Sequence, residues 1–196
     1  ISSIVQVLQR ETEEDFTQEK LELIKSQVTR ISRIIRDLVD FSRRSSYEVQ
    51  LTDINKGIRE AVEIVRVGKK AKEISFSMDL DETLPRLPLV PDQVQQVFIN
   101  ILINSVDAIH ARPAPPGGGM HRRGEIIVRS SRGDDCLIAS IQDNGKGISE
   151  DTRPKIFEPF FTTKKVGEGT GLGLWVSYGI IKRFQGNITV DSVDGE

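Results

Sequence analysis

Leu21, Ile24, Val28, Ile31, Ile35 and Leu38 recur at spacings of 3, 4, 3, 4 and 3. An α-helix brings such positions to one side, and a seam this narrow over almost three heptads marks a helix that packs on other helices. Ile1, Ile4, Val5 and Leu8 have the same character. The polar stretch ETEEDFTQEK between the two runs predicts a turn, with Thr17 as N-cap of the second helix. The result is an antiparallel helical hairpin that cannot bury its own seam completely. Packing on the rest of the chain is one way to cover it. Pairing with a second copy into a dimeric four-helix bundle is the preferred one.

From about Tyr47 the pattern changes. YEVQLTDI predicts a strand, residues 54–67 an amphipathic helix, and the alternating 73–80 a second strand. DETLPRLPLVPD predicts a Pro-punctuated loop, and Asp92 an N-cap for a helix over 93–111. ARPAPPGGGMHRRG reads as a flexible excursion. EIIVRSS and CLIASIQD then predict a hairpin, 171–185 a helix, and NITVDSV a last strand. The expected fold class is α+β: a helical hairpin, then an α/β sandwich with one mixed sheet and helices on one face.

Composition narrows the function classes. The 196 residues carry 27 basic and 29 acidic side chains, a net charge of −2 that gives no support for a general nucleic-acid binder. Residues 1–46 hold eight of each sign and neither Gly nor Pro, as solvated helices do. Cys136 is the single cysteine, which excludes a disulfide framework within one chain and fits a reducing, cytoplasmic setting. No apolar run reaches spanning length. The chain opens inside a helical pattern without Met and is expected to be a fragment of a longer protein.

Four stretches carry candidate chemistry. In NILINSVDAI, residues 100–109, Asn100 and Asn104 lie one turn apart on a face otherwise suited to burial. An unpartnered buried amide costs roughly 1–3 kcal/mol, so a partner is expected there. Asparagine oxygens are hard, neutral ligands, suited to a Mg²⁺ ion bridging nucleotide phosphates. DNGKGI, 143–148, follows a strand. An Asn-Gly turn is the simpler reading, but Asp143 beside two glycines also suits an adenine, whose exocyclic amine it can accept from. In GEGTGLGLWVSYGIIKRF, 167–184, four alternating glycines precede a helix, and exposed backbone N–H groups there make an anion site. The spacing is neither the P-loop nor the dinucleotide fingerprint. IFEPFFTTKK, 156–165, places three phenylalanines and a lysine pair before it, as a lid with a small apolar anchor.

In chain order the four stretches resemble the N box, first glycine box, F box and second glycine box of the sensor histidine kinases, members of the GHKL superfamily with DNA gyrase B. The resemblance covers essentially the whole chain. It implies a dimerisation and histidine-phosphotransfer hairpin at 1–46, an ATP-binding catalytic domain at 47–196, and autophosphorylation of a histidine by Mg-ATP before relay to a response regulator. Asp143 would read the adenine amine, with Gly145, Gly147 and Ile148 around the base. Asn104 would hold Mg²⁺, with Asn100 beside it as the second catalytic residue. Asp107, Lys164, Thr170, Gly171, Leu172, Gly173 and Leu174 would lie along the nucleotide. Hydrolysing members of the superfamily carry a Glu where this chain has Asn100. An amide has no useful pKa for taking a proton, which favours transfer to a protein over ATP hydrolysis. A non-catalytic nucleotide-sensing module and a GHKL hydrolase are the alternatives.

The chain also departs from the family pattern. Asp107 stands where many of these kinases have Lys, leaving Lys164, Lys165 or Lys146 to neutralise phosphate. The only histidines, His110 and His121, are not on the hairpin, so the chain is expected to begin just after its phosphoacceptor. It is also expected to stop one strand short.

Overall fold

A computed structural model describes residues 15–42, 48–113, 122–164 and 169–193. Two compact units divide the chain: Ile1–Arg44 with Ile156–Trp175, and Ser45–Lys155 with Val176–Glu196.

In the first unit the long helix α1 spans Asp15–Ser42. Thr17 therefore lies inside the helix and does not cap it. Polar residues alone do not stop a helix, and this stretch has no Gly or Pro to break one. Within the helix the Ser26 and Thr29 hydroxyls donate to carbonyls one turn back, those of Leu23 and Lys25. Of the heptad positions, Leu21 is buried and Val28 half-buried, whereas Ile24 and Ile31 are 46% and 54% exposed. The side chains of Ile35 and Leu38, and the run from Ile1 to Leu8, lie outside the described residues.

The second unit is a layer of helices on a mixed sheet. Strand β1 (Gln50–Thr52) leads into α2 (Ile54–Arg66), whose Ile58, Ala61, Val62 and Val65 form one buried stripe. Asp53 caps α2, its carboxylate accepting from the amides of Asn55 and Lys56. A single 3₁₀ turn, Lys69–Ala71, precedes β2 (Ile74–Leu80). The Pro-rich stretch expected to be all loop contains a short strand, β3 (Leu87–Leu89), antiparallel to β1 with Pro88 opposite Leu51. Proline is tolerated here because the ribbon has only two strands, so every strand is an edge.

Helix α3 spans Pro91–His110. Val90, not Asp92, occupies the cap, because Pro91 takes the first helical position that suits its fixed φ. Asp92 instead lies in the first turn, where its charge complements the helix dipole. β4 (Gly124–Arg132) and β5 (Leu137–Asp143) form the expected hairpin, and β2 joins β4 in parallel, giving the order β2-β4-β5. Ile58, Val62, Phe98, Leu102 and Val106 of the helices pack with Ile74, Ile126 and Val128 of this sheet. The described strands thus form two sheets where one was expected.

Helix α4 spans Gly173–Arg183 and closes with Gln185 at φ 58° and the Gly186 amide on the Ile181 carbonyl. Residues 187–193, expected as a strand, are not in one. Alternation suits a strand but does not make one without a neighbour to pair with. This segment instead offers Ser192, whose hydroxyl accepts from the Ile148 amide. Among the described residues no helix is long and apolar enough to cross a membrane.

Candidate functional site

Asn100, Asn104 and Asp107 fall on one face of α3, at spacings of 4 and 3. Asn100 donates through Nδ2 to Ser177 Oγ at 3.2 Å, and Ser177 is fully buried on α4. The Nδ2 end of that amide is therefore engaged by a protein hydroxyl. Asn104 is half-buried. Asp107 receives the Lys70 ammonium at 2.8 Å, and His110 Nε2 meets the Lys70 carbonyl at 2.6 Å. Nothing in the sequence around Lys70 marks it, because it reaches α3 from a turn 37 residues upstream.

Asp143, the last residue of β5, holds its carboxylate through Oδ1, which accepts from the Gly145 amide at 2.9 Å. A side chain at 145 could not fit: a Cβ would lie 2.6 Å from both Ala108 Cβ and Asp143 Oδ1. The first glycine's room is thus taken by α3, and the Lys146 amide donates to the Ala108 carbonyl at 3.1 Å to pin the loop there. Gly147 has φ 74°. Asn144 does not form the simple turn that an Asn-Gly pair suggests. Its side chain accepts from the Glu125 amide and donates to the Arg123 carbonyl, extending the β4–β5 pairing by one residue. The Ser192 hydroxyl bound to Ile148 ties down the other end. Neither Asn144 nor Ser192 was among the expected site residues. Asn144 was legible as polar beside a strand end; Ser192 carried no local signal.

The remaining site residues belong to the first unit, with α4 beginning at Gly173. Gly171 has φ 69°, and a Cβ there would lie 2.3 Å from the Phe160 carbonyl carbon. Only glycine lets the two backbones meet so closely, and Phe160 answers with its own φ of 67°. The F-box stretch and the second glycine stretch are therefore packed on each other. Hydroxyls shape the turns around them: Thr162 accepts from the Lys164 amide and Thr170 from the Leu172 amide. Leu172 is buried, and Leu174 is the second residue of α4. Lys165, Gly167 and His121 lie outside the described residues. The candidate residues thus form two groups: α3 with the Asp143 loop in one unit, and the phenylalanine and glycine loops in the other.

Residues 89–196, which contain all four motifs, match the model for the histidine kinase-, DNA gyrase B- and HSP90-like ATPases. The chain belongs to that family. It is a sensor histidine kinase catalytic domain of the ATP-binding type, as the resemblance implied. Its relatives include the signal transduction histidine-protein kinase AtoS of Escherichia coli K12, 35% identical over the whole of this chain and 30% of AtoS. The sensor histidine kinase ZraS of the same strain is 31% identical over 89% of this chain and 35% of ZraS. Sporulation kinase E of Bacillus subtilis is 29% identical over the whole chain and 25% of that kinase. The chain therefore spans no more than about a third of the length of these relatives. Among solved structures, the nucleotide-free catalytic domain of histidine kinase ThkA superposes with a TM-score of 0.56 at 28% identity, over 69% of this chain and 81% of that one. A complex of ThkA with the response regulator TrrA superposes with a TM-score of 0.63 at 22% identity, over 94% of this chain and 50% of that one, and shares the fold.

Proposed function

We propose that this histidine kinase domain binds Mg-ATP and, within a longer protein, passes the γ-phosphoryl group to a histidine for relay to a response regulator. The observation that carries the reading is the order of the four motifs inside the matched segment, residues 89–196.

The residues fit the ligand. A half-buried carboxylate at the end of β5, already oriented by the Gly145 amide, suits a purine amine. Two tightly packed backbones at Phe160 and Gly171 leave a loop with little side-chain bulk, suited to a phosphate tail. Asp143 is assigned to the adenine, with Gly145, Gly147 and Ile148 around it. Thr170, Gly171, Leu172, Gly173 and Leu174 follow the phosphates, and Lys164 neutralises part of their charge. Asn104 presents a neutral oxygen to Mg²⁺. When bound, the ion spreads the charge of the transferring phosphoryl group, which needs positioning and neutralisation more than covalent help.

Asn100 holds the α3 face in place through Ser177 and takes no proton, so water is not activated there. The acceptor is assigned to a histidine of the longer protein, since neither His110 nor His121 lies on the hairpin. Residues 1–46 are assigned to a hairpin that pairs with a second copy, and residues 47–196 to the catalytic domain.

Incubating the parent protein with γ-labelled Mg-ATP tests this. An acid-labile, base-stable phosphohistidine is expected, chased onto a receiver domain. Steady phosphate release without protein labelling would replace transfer with hydrolysis. Binding without either would leave a nucleotide-sensing module.

A further inference from the structure

Lys70 and Asp107 form an ion pair whose stability value does not explain its construction. The lysine is mostly exposed, and exposed pairs contribute about 0–1 kcal/mol. Yet Lys70 is held at three points. Its ammonium sits 2.8 Å from Asp107, its carbonyl accepts from His110 Nε2, and the next residue, Ala71, is buried in the core. Both charged residues also line an open groove of about 300 Å³ whose other walls include Ile64, Val65, Ile103 and Val106.

Asp107 shares its helix face with Asn100 and Asn104 and is only 21% exposed. A bare carboxylate there repels a triphosphate placed against Asn104. We propose that Lys70 is a positioning residue that cancels the charge of Asp107, and thereby sets how tightly this face accepts the triphosphate part of the nucleotide. The inference rests on the assignment of Mg-ATP to Asn104. It concerns the phosphates alone, so the purine end is untouched by it.

Calorimetric titration of the chain with Mg-ATP and, separately, with adenosine tests it, with thermal unfolding as a check on folding. Lys70→Met removes the positive charge facing the carboxylate and should weaken Mg-ATP about tenfold, with adenosine unchanged. Lys70→Arg keeps the charge and should retain wild-type affinity. Adding Asp107→Asn to Lys70→Met removes the repulsion and should restore Mg-ATP to within about twofold of wild type. The proposal is overturned if Lys70→Met binds Mg-ATP as wild type does, or loses adenosine equally. It is also overturned if the double variant stays as weak as Lys70→Met, since Lys70 would then act on phosphate directly. A wild-type chain that binds adenosine but not Mg-ATP rejects the underlying assignment, and this inference with it.

Discussion

Asp143 ends β5 with one carboxylate oxygen engaged by the Gly145 amide, so its orientation is set before any ligand arrives. Asp143→Ala should reduce nucleotide affinity at least about a hundredfold, the scale expected when a site built for a hydrogen bond loses it, while the thermal midpoint moves little. Calorimetry beside a melting curve checks both. A second carboxylate reports on acid stability. Asp81 accepts from the Thr83 hydroxyl at 2.6 Å and from the Thr83 amide at 2.9 Å, which together hold it below the ordinary 3.8. Near that pH the folded state binds fewer protons than the unfolded one, so stability rises with pH. The contribution is present above the unfolded pKa and is lost as pH falls through the lowered folded value. Thr83→Val should therefore be less stable than wild type at pH 7. The gap should close toward pH 3, as urea unfolding at both values would measure.

At the scale of elements, the link between α2 and the sheet is a closed ring of polar groups. Asn55 accepts from Ser130 Oγ at 2.7 Å and donates to the Asp81 carbonyl at 2.8 Å, while the Asp81 amide donates back to Ser130 Oγ at 3.1 Å. Asn55 and Ser130 are both buried, so Asn55→Ala leaves the hydroxyl without its acceptor and the Asp81 carbonyl with the Leu84 amide alone. A loss of about 2 kcal/mol in denaturant unfolding is expected. The Asp143 loop meets α3 just as tightly. Gly145→Ala forces its methyl against Ala108 and should weaken nucleotide binding by shifting the loop, and Ala108→Gly in the same chain should recover part of the loss. The heptad seam of α1 was legible because helical spacing is a local property. The strand β3 was not, because Pro88 argues against a strand until its partner β1 is known.

For the whole molecule, exposure along α1 bears on the proposed pairing of two copies. Ile24 and Ile31 lie a heptad apart and are both about half exposed in the single chain. If a second copy covers them, Ile24→Glu with Ile31→Glu should shift the chain from dimer to monomer in sedimentation, and leave nucleotide affinity unchanged. A wild-type chain that sediments as a monomer at high concentration would remove the dimer from the account.

The sequence by itself determined the helices that lie within the described residues, the hairpin of β4 and β5, and the identity of the four motifs. Periodicity, glycine spacing and polar residues in apolar runs are all written within a few neighbouring positions. Tertiary structure alone decided which distant groups meet. Ser177 partners Asn100, Lys70 covers Asp107, Ser192 holds Ile148, and α3 fills the room that Gly145 leaves. Each of these contacts joins residues 37 or more positions apart, a separation at which no local preference of the chain can specify the partner.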